Sequence, residues 1–319
     1  MNTYFKACAI VLLLFLQIAG AADFPNKNIR IIVGQASGGA TDIIARLVSS
    51  QMSKELNQTV VVDNRTGAAG SIAASYTVNS PPDGHTLLLV SSSYAINPSL
   101  MKLNFDPVKD LIPISHLAIA PFILVVDSRL PIKNVMDLLN LAKQGKEPMT
   151  YASGGTDSSG HLAGILLSSL TNIKMTHIPY RGASPALMDV MSGHVNFMFA
   201  SVLSAVPQIK QGTLKAIAVS TDQRSIALPD LPTVSESGVP EYSSSTWYGL
   251  LAPKGTPSDI VDKLSITAHN AITAADVRQQ IASDGAVAIG SNAKTFQTFL
   301  NAELKRFERL AEISHAKGN

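Results

Sequence analysis

From residue 29 onward, short apolar runs rich in β-branched residues alternate with stretches whose apolar positions recur every three to four residues. A strand covered on both faces reads as a continuous apolar run, and the helix covering it reads as a one-sided stripe, so this alternation points to parallel sheets packed between helices. Ile29–Val33 is the first such run, and the following stretch puts Ile43, Ile44, Leu47, Val48 and Met52 on one helix face. Further strands are expected over 60–62, 86–90, 122–126, 149–152, 174–178, 195–199 and 214–219. Helices are expected over 71–79, 135–143, 186–191 and 203–210, and from Ser159, where Leu162, Ile165, Leu166 and Leu170 share a face. Beyond residue 257 the pattern is helical, over 258–271, 275–283 and 293–313. The fold class is α/β.

At 319 residues the chain exceeds one average domain and suits two. No long linker separates them, so the chain is expected to pass between two lobes more than once, at 118–126 and 220–231. This gives one lobe from 23–122 and 227–319, the other from 123–226, and a cleft beneath a two-crossing hinge. The first 22 residues read as an export signal, with Lys6 in a positive start, an apolar stretch over 9–18 and small residues at Ala19-Gly20-Ala21-Ala22. That stretch is shorter than a membrane-spanning helix requires. The single cysteine, Cys8, is expected to leave with the signal, which excludes thiol chemistry in the mature chain. A net charge of +2 with scattered basic residues gives no footprint for nucleic acid.

Two loops rich in glycine and hydroxyl residues stand out. Ala36-Ser37-Gly38-Gly39-Ala40-Thr41-Asp42 and Ser153-Gly154-Gly155-Thr156-Asp157-Ser158-Ser159-Gly160-His161 each follow an apolar strand and open an amphipathic helix. The unpaired amides of a helix start bind a carboxylate or phosphate without an arginine. One such loop on each lobe would grip an anion from both sides; the alternative is two ordinary strand-to-helix turns. Neither loop is a dinucleotide fingerprint or a P-loop, and no cofactor is expected. Thr41 reads as a helix N-cap. Asp42 reads as an acid matched to the helix dipole, with a ligand contact through water as the other reading. His161 reads as a residue that orients its loop, and Trp247 and Tyr248 as core or cleft wall. The seven histidines show no zinc spacing, and no nucleophile elbow is present, so neither metal nor catalysis is expected.

Taken in order, the motifs resemble a known family over nearly the whole chain after the signal. Gly38-Gly39-x-Thr41-Asp42, Val62-Asp63-Asn64-Arg65-x-Gly67-Ala68, Pro82-Asp83-Gly84-His85-Thr86-Leu87 and Ser159-Gly160-His161-Leu162 carry the first half of the resemblance. Pro179-Tyr180-Arg181-Gly182, Leu231-Pro232-Thr233 and Trp247-Tyr248-Gly249-Leu250 carry the second. The set is similar to the Bug (TctC-type) receptors, the extracytoplasmic substrate-binding proteins of tripartite tricarboxylate transporters. The resemblance implies a type II periplasmic-binding-protein fold that closes on its ligand, a small organic acid as that ligand, and membrane permease subunits as partners. It implies that Ser37, Gly38, Gly39, Thr41 and Asp42, with Thr156, Asp157, Ser158, Ser159 and His161, pinch a carboxylate partly through waters. The rest of the ligand would be read by Ser91, Ser92, Tyr180 and Ser201. A monomer is expected. Signalling to a sensor kinase, or hydrolysis on the same fold, are the rival readings.

Two departures from the family pattern bear on the ligand. Gly34-Gln35-Ala36-Ser37 replaces a segment that usually contains proline and phenylalanine, and Asp157 stands where glycine is common. Asp157 either caps its helix or receives an ammonium group, which would admit an amino acid or a nitrogen heterocyclic acid as ligand.

Overall fold

The computed structural model describes residues 24–317 except Lys146, Asp157, Ile226, Ala227 and Asp284. The expected signal over 1–22, with Cys8, and the departure at Asp157 lie outside the described residues.

Ten strands form two helix-covered sheets that share one strand. They are β1 (Ile29–Val33), β2 (Val60–Asn64), β3 (Thr86–Ser91), β4 (Leu111–Asp127), β5 (Met149–Ser153), β6 (Met175–Pro179), β7 (Phe197–Ser201), β8 (Leu214–Val219), β9 (Ser245–Pro253) and β10 (Val287–Ala288). In the first sheet β1 pairs in parallel with β2 and β3, then β9 runs antiparallel to β3, and the first part of β4 runs antiparallel to β9. In the second sheet β5 pairs in parallel with β6 and β7, and the end of β4 pairs antiparallel with both β7 and β8. The parallel strands carry the β-branched runs seen in the sequence. The antiparallel ones join the sheets.

β4 is 17 residues long and changes partner within itself: Pro121 faces Ser245 on β9, while Phe122 faces Ser201 on β7. The return passage lies beside it. Ser244 N–H donates to the Ser220 carbonyl at 2.8 Å, Ser220 Oγ donates to the Ser244 carbonyl at 2.5 Å, and Phe122 N–H donates to Ser220 Oγ at 2.9 Å. Ser220 thus ties both connections together. Between these points, Val234, Val239 and Tyr242 pack into the core of the second sheet, where Tyr242 stacks on Phe199 and its hydroxyl donates to the Ala163 carbonyl at 2.9 Å.

Cores form on both faces of the sheets. One cluster joins β1 and β3 to the helices Ala40–Leu56 and Ser258–Thr273, and extends through Val202–Lys210 toward the second sheet. Another lies under the C-terminal helix Ala293–Lys317, where Phe296 and Phe299 close over Trp247 and His116. Trp247 Nε1 donates to the buried Glu303 at 3.0 Å. No described helix is long and apolar enough to cross a membrane.

Candidate functional site

The ends of the parallel strands set the site. In an open α/β sheet, ligands bind in the crevice outside the carboxyl ends of the strands, where helix starts converge. Here the ends of β1, β3, β5, β6 and β7 open onto one cavity of about 360 Å³ between the sheets. The helix Ala40–Leu56, with Gly39 as N-cap, enters from the first sheet, and Ser159–Thr171, with Ser158 as N-cap, enters from the second. A third helix, Ala183–Met191, starts at the same wall.

Of the residues singled out in the sequence, Gly39, Thr41, Ser91, Thr156, Ser158, Ser159, Tyr180 and Ser201 line this cavity. Thr41 does so from inside the first turn rather than as the cap, a place taken by Gly39, which makes no side-chain capping bond. Ser158 caps its own helix by accepting from His161 N–H at 3.3 Å.

Ser37, Gly38, Asp42, Ser92 and His161 do not line the cavity. Asp42 is buried beneath its loop, where Oδ2 accepts from Gly38 N–H at 2.9 Å and from Arg46 Nε at 2.8 Å, and Oδ1 accepts from Asn64 Nδ2 at 2.9 Å. Burial opposes its charge, but these three donors outweigh it and hold the pKa below the usual aspartate value. The carboxylate shapes the loop, and the next amide, Gly39 N–H, donates to the Ala36 carbonyl at 3.2 Å. His161 stacks on His177 with ring centroids 3.9 Å apart, behind the second loop. His177 Nε2 in turn meets Ser153 Oγ at 2.6 Å, and that hydroxyl donates to the Gly155 carbonyl at 2.7 Å. Burial, with the neighbouring His161, pushes His177 down to about 4, so this support is uncharged at neutral pH. Tyr180 lines the wall while its hydroxyl donates to Asp189 Oδ2 at 2.5 Å.

Ser92 and Ser37 hold the sheets to each other. Ser92 Oγ donates to Ser159 Oγ at 2.8 Å and shares a hydrogen bond with Thr246 Oγ1 at 2.9 Å, while Ser184 Oγ donates to the Ser37 carbonyl at 2.9 Å. Ser201 and Tyr248 hydroxyls meet at 3.1 Å across the cavity floor. At the rim Gly182 presses on Ala36: a Cβ added there would stand 2.6 Å from Ala36 Cβ and 2.8 Å from its nitrogen. These contacts join the two sheets around the cavity.

Several wall residues escaped the sequence reading of the site, among them Ala68, Ala69, Ser93, Phe122, Met198 and Phe199. Ala68 and Ala69 have positive φ, 45° and 50°; the flanking Gly67 and Gly70 are the only local hint of that turn. Arg181 is the one charged side chain among the described lining residues, and it makes no ion pair among them. The cavity is otherwise walled by hydroxyls, the Gln35 amide, backbone and apolar side chains. No group of three or more histidine, cysteine, aspartate or glutamate side chains capable of holding a metal is present among the described residues.

The comparisons with known proteins agree with this architecture. Residues 44–315 match the model of the tripartite tricarboxylate transporter family receptor, TctC. The chain is similar to the periplasmic binding protein BugD, at 29% identity and a TM-score of 0.88 over 92% of this chain and 99% of that one. It is similar to Rpa4515 of R. palustris, solved with adipate, at 32% identity and a TM-score of 0.87 over 91% and 98% of the two chains. A third likeness is to MatC of Rhodopseudomonas palustris, solved with malate, at 30% identity and a TM-score of 0.84 over 90% and 100%. The two-lobe periplasmic-binding-protein fold expected from the motifs is therefore the fold of this chain, which belongs to the TctC family of tripartite tricarboxylate transporter receptors.

Proposed function

We propose that this chain is an exported receptor that captures a small carboxylic acid between its lobes and passes it to membrane permease subunits. The observation that carries this reading is the convergence of helix starts from both sheets on one cavity. Ala40 and Thr41 on one side, and Ser159 and Gly160 on the other, bring first-turn amides to the same space, and no described lining residue is a carboxylate that would compete for them. The N-cap amides of Gly39 and Ser158 are spent on the Ala36 and Gly155 carbonyls. A volume of about 360 Å³ lies at the small end of ligand cavities, which suits a short organic acid. Adipate and malate, the acids held by two family structures, are of this class.

The lobe boundaries belong to the same proposal. We place one lobe at 24–121 and 245–317 and the other at 122–244, in place of the division at 226/227 suggested by the sequence. Support comes from the partner change at Pro121/Phe122 and from the seating of Val234, Val239 and Tyr242 on the second core. The capture reading also accounts for the Ser153–His177 pair better than hydrolysis does. Its spacing is that of a nucleophile and base, yet Ser153 is fully buried, donates to Gly155 and does not line the cavity.

A thermal-shift screen of the mature protein against short mono-, di- and tricarboxylates, amino acids and aromatic acids tests the reading. A ligand that binds the native state alone raises the melting temperature. At least one acid should do so, and its uncharged amide should not. An equal response to acid and amide would remove the anion from the account.

A further inference from the structure

Behind the main cavity lies a second, much smaller void of about 10 Å³, and the two share Gly34, Gln35, Ala69 and Ser93 as common wall. That is about the volume at which a cavity holds a single water-sized group. Two of its lining residues carry a buried acceptor: Gln35 Oε1 and Asn97 Oδ1 are both inaccessible, and neither has a hydrogen-bond partner. Buried oxygens are rarely left unpaired in folded proteins, and two on one void ask for a common donor.

The orientation of Asn97 is fixed by its other end. Its Nδ2 donates to the Ala69 carbonyl and to Ser71 Oγ, each at 3.2 Å, so turning the amide over would set an acceptor against that carbonyl. This fixes Oδ1 as the end left without a partner, on a residue that lines the void and is 3% exposed. Gln35 is anchored by its backbone, whose carbonyl accepts from Asn64 Nδ2 at 3.0 Å. Ser93, paired with Ser91 at 2.9 Å, supplies a hydroxyl on the same wall. No cation lines the void, so its polar character is that of an acceptor pair.

We infer that Gln35 and Asn97 form a subsite for one small donor group: a fixed water or the ammonium head of the bound solute, either of which can donate to both oxygens, or a solute hydroxyl, which donates to one of them. The donor joins the loop that starts at Gly34 to the Gly67–Gly70 turn, where Asn97 already holds the left-handed Ala69. Both segments wall the main cavity, so the subsite sets the position of that wall. A solute carrying a hydroxyl or amine beside its acid would be preferred over the same skeleton without one wherever its donor takes the water's place.

High-resolution crystal structures of the mature protein alone, with succinate and with malate distinguish the sources. A density peak within hydrogen-bond distance of both oxygens in the acid-free crystal identifies water. Replacement of that peak by the malate hydroxyl identifies the solute. Gln35→Met, which keeps the chain length and removes the acceptor, should abolish the peak, and Asn97→Leu should do the same. Gln35→Met should also weaken binding of whichever acid binds tightest by about three- to tenfold. The inference is overturned if every map shows the void empty, or if the Gln35 amide turns to donate directly to Asn97. The affinity arm rests on the proposed function, whereas the peak does not: a peak without any acid binding would sink that function and leave the subsite standing.

Discussion

Asp42 and Arg46 stand one helical turn apart, and their ion pair at 2.8 Å spends the aspartate on the loop rather than on a ligand. Asp42→Asn places an amide against the Gly38 N–H, the Arg46 guanidinium and the Asn64 amide, all donors. It should destabilise the protein by about 1–3 kcal/mol at pH 7, measured by urea unfolding. Because the folded carboxyl titrates below 3.8, its contribution is complete above that value and is lost as pH falls through the lower folded pKa. The difference between variant and wild type should therefore shrink in strong acid. A constant difference would show that charge is not what Asp42 contributes. The sequence marked Asp42 as special but left its role open, because a carboxylate in a first turn serves loop amides and ligands through the same chemistry. Which amide it meets depends on the path of Ser37 and Gly38, and residue types alone do not encode that path.

At the scale of elements, the parallel strands were legible because burial on both faces writes them as apolar runs. The antiparallel strands were legible only in part: the end of β4 and β8 were expected, but β9 and the first part of β4 were not. The first part of β4 contains Pro113, His116 and Pro121, residues that argue against a central strand, and the sheet accommodates them with register shifts between Pro113 and Ser115 and between His116 and Ala118. The helix Ser93–Leu100, with Pro98 inside it, was hidden for the same reason. His116 has a measurable consequence. Buried between Phe296, Phe299 and Trp247, with Nε2 unpaired, it is pushed down to about 4 by desolvation. A base whose folded pKa is depressed stabilises the fold above its unfolded value, near 6.5, and that stability is lost as pH falls from there toward 4. His116→Phe should flatten part of the decline in melting temperature between pH 6.5 and 4, with His177 and carboxylates of lowered pKa such as Asp42 contributing to the remainder. An unchanged slope would mean that His116 titrates normally.

The whole molecule depends on two lobes meeting closely. Gly182 combines a φ of +125° with direct contact on Ala36, whereas Gly212, at +74°, has open space where a side chain would go. Alanine at either position incurs backbone strain of about 1–2 kcal/mol, but at Gly182 it also wedges the rim. Gly182→Ala should lower acid affinity at least tenfold while Gly212→Ala leaves it unchanged, by calorimetric titration. Equal effects would leave strain as the sole cause. Asp157→Gly asks whether the second departure from the family pattern reads the ligand: an altered ranking of amino acids against plain acids assigns it to the site, and an unaltered one makes it a cap. The two-lobe design was readable from length and alternation. The closeness of fit was not, since contacts such as Ser92 to Ser159 join residues far apart in sequence that nothing local connects. The most direct measurement of the central claim is a crystal structure of the mature protein with the acid that most raises its melting temperature. The account predicts one carboxylate held, directly or through water, by the first-turn amides of Ala40 and Thr41 together with those of Ser159 and Gly160. A carboxylate bound by Arg181 alone, or an acid outside this cavity, would contradict it.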